Sequence, residues 1–166
     1  QQYTTAQEGS GEGHTDAYPH LAEMAEKLFP PPGLIDAISR AISEGGEILD
    51  NASDKLANIR RELKIAHERL LSRMERLIND SRVSTLLQES IITQRGGRYV
   101  VPLRAECKSK MQAVVHDQSS SGATLFVEPL ALVEMNNRWQ EMQLAERDEE
   151  RRIMAELSAQ VGLHAG

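Results

Sequence analysis

Two arginines bracket a glycine pair in the string Arg95-Gly96-Gly97-Arg98. A guanidinium fork matches phosphate oxygens, and glycines let another backbone come close. Arg104, Lys108 and Lys110 add positive charge soon after it. The chemistry these residue types suit is contact with a polyanion. The same residues also make an ordinary hairpin turn with solubilising charge at a sheet edge, and the bare sequence weighs the two readings equally.

A second string, His116-Asp117-Gln118-Ser119-Ser120-Ser121-Gly122, carries the residue types of a hydrolase triad. A triad is defined by geometry, with the acid orienting the base and the base touching the nucleophile. Neighbours along a strand point to opposite faces, so His116 and Asp117 are expected to diverge. The reading preferred here is a loop over Gln118, Ser119, Ser120, Ser121 and Gly122, in which Asp117 or the serines bond the loop backbone and Gly122 supplies a permissive angle. No catalytic residue is assigned. There is no G-x-x-x-x-G-K-[ST] loop, no H-E-x-x-H and no cysteine pair, so neither a phosphate-loop ATP site nor a metal site is expected. Glu128, before Pro129, reads as a junction residue.

These strings lie in Ile91 to Pro129, the one stretch that reads as β. Ile91 to Gln94, Arg98 to Cys107, Met111 to His116 and Ala123 to Val127 are its four runs. Gly96-Gly97 suits a two-residue hairpin turn. In the second run Val101, Leu103, Ala105 and Cys107 alternate with Val100, Pro102, Arg104 and Glu106. Pro102 has no N–H for a ladder, which suggests an edge or a bulge. Paired as a simple meander, the strands would place Gly96-Gly97 and Ser119 to Gly122 at one end, a tip carried on a two-helix stalk.

Helical patterns flank the island. Ala17 to Leu28 and Gly33 to Ser43 are short ones, separated by Pro30-Pro31-Pro32, and Gly45-Gly46 stops the second. Asn51 or Ser53 can cap a long third helix with Leu56, Ile59, Leu63, Ala66, Leu70, Met74 and Leu77 as its seam. Its opposite face carries Arg60, Arg61, Lys64, Arg69, Arg73 and Arg76 among glutamates, and reads as a solvated surface. The last helix starts near Pro129, with Leu132, Met135, Trp139 and Met142 on its apolar side. That seam weakens from Glu146 to Arg152. The two long helices are expected to lie antiparallel, with Trp139 buried between them and Asn136-Asn137 satisfying the helix–sheet junction. The fold class is α+β, mainly α. The layout is a variable segment over 1–16, a helical lever over 17–90, a β unit over 91–129 and a returning helix over 130–166.

The 166 residues carry a formal net charge of −6, unevenly spread. Residues 1–50 hold nine acidic and two basic side chains, residues 60–110 six acidic and twelve basic, and the rest returns to an acidic excess. A polyanion would therefore meet the middle of the chain. The single cysteine, Cys107, reads as a small buried hydrophobe and suits a reducing cytoplasm. There is no membrane-length apolar run.

The strings ITQRGGRYVVPLRAE, VVHDQSSSGATLFVEP and LVEMNNRWQEMQLAERDEERRI, with GGEILDNASDKLANIRREL upstream, resemble the second bacterial branch of the MutS family. The likeness runs from about Tyr18 to Val161. It implies that the long helices are levers and the β unit a clamp of an anti-recombination protein whose longer members end in a small nuclease domain. It implies phosphate contact at Arg95, Gly96, Gly97, Arg98, Arg104, Lys108 and Lys110, with branched or duplex DNA as partner and no sequence reading. Ribosomal RNA of stalled or collided ribosomes is the second polyanion it suggests, and a homodimer the assembly of the whole protein. ATP and magnesium would be held in domains outside this chain, which itself needs no cofactor. The rival reading is a helical dimerisation or protein-docking module that binds no nucleic acid.

Overall fold

The computed structural model describes residues 33–163. The expected helix over Ala17 to Leu28 and the segment before it lie outside that range. Helix α1 is Leu34–Ala41, followed by an Ile42↔Ile48 bridge that closes over Gly45 and Gly46. Helix α2 is Asp54–Ile78 and helix α3 a single turn, Ser81–Ser84. Four strands follow, β1 (Thr93–Arg95), β2 (Arg98–Arg104), β3 (Ala113–Gln118) and β4 (Thr124–Pro129), and then α4 (Val133–Leu163). The mainly helical α+β class is as expected.

Local chemistry starts and stops the long helices. The Ser53 side chain accepts the Leu56 N–H, and Asp54 sits in the first turn, both favourable where N–H groups are unpaired. At 25 and 31 residues, α2 and α4 run for roughly 37 and 46 Å at the usual helical rise. They pack antiparallel: Trp139 stacks on His67, and further down Glu146 meets Arg60.

Two apolar clusters hold them, with a polar belt between. The upper cluster joins Leu70, Met74 and Ile78 of α2 to Leu132 and Trp139 and to Val101, Leu103, Leu125 and Val127 of the sheet. The lower one joins Ala41, Leu56, Ile153 and Leu157. Between them, Glu149 is 1 % exposed and receives Lys55 at 2.8 Å, Arg152 at 2.6 Å and the Ser53 hydroxyl at 2.9 Å. Arg60 reaches Asp50, Glu146 and Glu150 and donates to the Ile48 carbonyl. Arg60 thus faces α4 and not solvent, a correction to its expected place on the solvated face. The weak seam over Glu146 to Arg152 is weak because ion pairs replace apolar contact there.

The sheet order is β1-β2-β4-β3, which overturns the simple meander. β2 and β3 both run antiparallel to β4, so the chain leaves β2, returns along the sheet through a 3-10 segment, Ala105–Lys110, and only then enters β3. The apolar strand β4 (Leu125, Phe126, Val127) takes an interior place, and β3, with His116, Asp117 and Gln118, takes an edge. Ala105 and Cys107 consequently leave the strand pattern, although Cys107 is buried as expected. The Gly96-Gly97 turn, with φ of 56° and 77°, is the expected two-residue hairpin. Pro102 lies in an interior strand, but level with it β2 has lost β1 as a neighbour. There its carbonyl accepts Gln88 N–H, beside an isolated Leu87↔Leu103 bridge.

The Glu149 carboxyl is held down at about 2, by hydrogen bonds from Arg152 and Lys55 before any other cause and against the opposing effect of burial. Its folded value lies below the ordinary carboxylate range, so its stabilising contribution is complete above about pH 4.5 and is lost as pH falls towards 2. Glu149→Gln should unfold at lower urea than the parent at pH 6. The gap between the two midpoints should close between about pH 4.5 and 2.5.

Candidate nucleic-acid interface

The new strand order separates residues that the sequence grouped. β2 starts at Arg98 beside the Gly96-Gly97 turn and ends at Arg104, opposite Thr124. The glycine turn therefore lies at the end of the sheet where α4 begins, and Gln140 of α4 donates to the Gly97 carbonyl. The serine loop lies at the opposite end, with Ala105 N–H on the Ala123 carbonyl. The two loops do not share a tip.

Arg98 is an internal strut and not an outward phosphate fork. Its Nε and Nη2 grip Glu128 at 2.7 and 2.6 Å, Nη1 donates to Gln140, and Nη2 also donates to Asn137. Only 16 % of its side chain is exposed, and 2 % of Glu128's. His116 Nε2 lies 2.6 Å from Glu128 Oε2, the oxygen that also accepts from Arg98 Nε. Burial alone would raise the Glu128 carboxyl, but the hydrogen bonds from Arg98 and His116 and the charge of Arg98 outweigh it and hold it below its ordinary value. Beside this group Asn136, fully buried, accepts the Tyr99 N–H and donates to the Tyr99 carbonyl. The polar role expected of Asn136 and Asn137 at the junction is met.

Arg95 is half-open. It lies with Cζ 3.9 Å from the Phe126 ring centroid, and its Nε donates to Asp117 at 2.9 Å. A bulge between Val115 and Asp117 breaks the strand alternation, so His116 and Asp117 both serve the outer face of the sheet. That corrects the expectation that they diverge, yet their partners differ: Glu128 for one, Arg95 for the other. The serine hydroxyls bond inside their own loop, Ser119 Oγ accepting from Thr124 N–H and Ser121 Oγ from Ala123 N–H. Among the described residues no serine reaches His116.

Three of the expected cations remain outward. Arg104, Lys108 and Lys110 are exposed and have no ion-pair partner among the described residues. Arg104 sits next to the serine loop, and Lys108 and Lys110 lie on the return segment, which ends near Leu130. What the sequence reading missed is the reach of Glu128, Asn137 and Gln140 to Arg98. The one signal was an acidic residue before Pro129 in a run otherwise apolar.

Removing one side of a buried ion pair strands the other. Arg98→Ala should lower unfolding stability by about 3 kcal/mol. Arg95→Ala, which loses a half-exposed cation–π contact, should cost about 0.5–1 kcal/mol. Urea titration of both variants checks the ranking.

Comparison with known proteins finds relatives that match nearly the whole chain. An endonuclease MutS2 of Pelotomaculum thermopropionicum is 47% identical over 151 residues, 91% of this chain. Endonuclease MutS2 of Geobacillus sp. (strain WCH70) is 43% identical over 150 residues, and that of Clostridium perfringens 48% over 141. No family model matches. The chain spans about a fifth of the length of these relatives, 18 to 19% of each. On that identity, sustained from the helices through the sheet and back, the chain belongs to the MutS2 family as one segment of its longer members.

Proposed function

We propose that this segment is a lever carrying a nucleic-acid clamp, and that it holds phosphates without reading sequence. The observation that carries this reading is the set of outward cations without an ion-pair partner among the described residues, Arg104 at the end of β2 beside the serine loop and Lys108 and Lys110 on the return segment that leads away from it. Arg95 contributes from the outer face, and Arg98 acts indirectly by fixing the sheet to α4. Contacts of this kind position a duplex and weaken steeply with salt. The paired helices, joined to the sheet through Arg98 and the upper apolar cluster, would transmit movement between the sheet and the rest of a longer protein. In that protein we infer ATP, magnesium and nuclease chemistry in domains outside this segment, and a homodimer around branched DNA. Ribosomal RNA is the competing ligand of the same phosphate chemistry.

Binding of the chain to a four-way DNA junction, a plain duplex and ribosomes across a salt series tests this. Arg104→Glu/Lys108→Glu/Lys110→Glu should weaken binding at least tenfold, and each lost contact should flatten the log–log salt slope by about 0.9 on duplex DNA. The preferred ligand chooses between a recombination and a ribosome role. Binding that is unchanged in the triple variant with its fold intact would overturn the assignment.

A further inference from the structure

Arg95 is held in a way that spends its edges and leaves its plane. Its Cζ lies 3.9 Å from the centroid of the Phe126 ring, so an aromatic backs the guanidinium. Nε donates to Asp117 at 2.9 Å, and Nη1 donates to the Thr93 hydroxyl and the Gln94 carbonyl. Nη2 alone has no hydrogen-bond partner among the described residues. A bidentate phosphate grip needs two free nitrogens along one edge, and Nη2 shares each of its edges with a nitrogen already engaged. The side chain is nonetheless 35 % exposed. The surrounding face carries little net charge, because Asp117 offsets Arg95 and Glu128 offsets Arg98. Strand alternation brings Arg104 to the same face. Val101, Leu103, Leu125 and Val127 turn to the core, while Pro102↔Phe126 and Arg104↔Thr124 turn to the outer side. Arg104 and Phe126 are therefore diagonal neighbours, roughly 7–8 Å apart along the backbone.

We propose that Arg95, backed by Phe126, is a stacking platform for one unpaired nucleobase on the strand whose phosphate Arg104 holds. The inference rests on the phosphate reading above, because a base arrives with its backbone. Three observations select a base over a second phosphate. A guanidinium fixed against an aromatic ring offers its other plane to a flat partner, and unpaired bases stack on such planes. The engaged edges and the Asp117 carboxylate disfavour a phosphate at this spot but do not repel an uncharged ring. The diagonal from Arg104 to Phe126 sets the two contacts close enough for adjoining parts of one strand. Bases inside a duplex are covered on both faces, so the platform favours a bulge, a junction or a single strand over paired DNA. Stacking accepts any base, so it adds a preference for unpaired structure and no sequence reading.

The test compares a labelled duplex with the same duplex carrying one bulged adenine, by fluorescence anisotropy at fixed salt. The parent chain should bind the bulged duplex about fivefold or more tighter than the paired one. Arg95→Lys keeps the charge and removes the plane, and should bring that ratio to within about twofold of one. Phe126→Leu removes the aromatic backing at similar volume and should lower the ratio in the same way. Circular dichroism and melting confirm the fold of both variants, and Arg95→Lys decides alone if Phe126→Leu does not fold. A ratio of one in the parent, or one retained in Arg95→Lys, would overturn the platform. If both duplexes then still bind with a steep salt dependence that Arg104→Glu/Lys108→Glu/Lys110→Glu removes, the phosphate reading stands and the platform alone is lost. No binding to either duplex at low salt would overturn both.

Discussion

Arg98 and Glu128 meet across two strands with both guanidinium edges engaged, and the geometry of the sheet on its helices depends on that meeting. A buried carboxylate is costly unless it is paired and fully hydrogen-bonded. Here the partners come from β2, from the β3 bulge through His116, and from α4 through the other donors and acceptors of Arg98. One charge thus requires three elements to arrive together. Apolar packing between Trp139, Tyr99 and the strands would tolerate some sliding, but a bidentate pair with Asn136 locked to both backbone groups of Tyr99 does not. The result is a sheet fixed in orientation relative to the start of α4.

The helices below are joined on different terms. Two dry clusters are separated by a belt in which Glu149 and Arg60 each gather several opposite charges. Such a belt contributes less to stability than equal apolar volume would, but it specifies which turn of α2 faces which turn of α4. An apolar seam with a regular repeat can slip by a turn. A carboxylate that must find Ser53, Lys55 and Arg152 at once cannot.

The parts legible in the sequence are those set by local chemistry. The Ser53 cap, the glycine turn, the island of β between long helices and the burial of Trp139 each follow from residue types within a few positions. Strand order was not legible, because nothing local to β3 or β4 says which of them lies next to β2. That is decided by which strand can be covered on both faces, and it moved the glycine turn from an imagined tip to the helix junction. Arg98 and Arg95 look alike in the string, yet one is sealed against Glu128 and the other lies over Phe126, a difference created by partners some thirty residues away. Long-range pairing of this kind leaves only faint marks, such as the acid before Pro129 or the thinning of a seam.

The sheet also acts on the order in which the molecule can assemble. The helices α2 and α4 are separated by residues 79 to 132, a span of 54 residues. Joining the helices across an unfolded span of that length costs about 2 kcal/mol more in loop closure than joining them through a tight five-residue turn. Most of that penalty disappears once the four strands have condensed, because the sheet brings Ile78 and Leu132 into one cluster. The β unit thus closes the gap between its own levers. Helix pairing in the upper half is thus tied to the sheet, whereas the lower cluster around Leu56 and Ile153 packs without it.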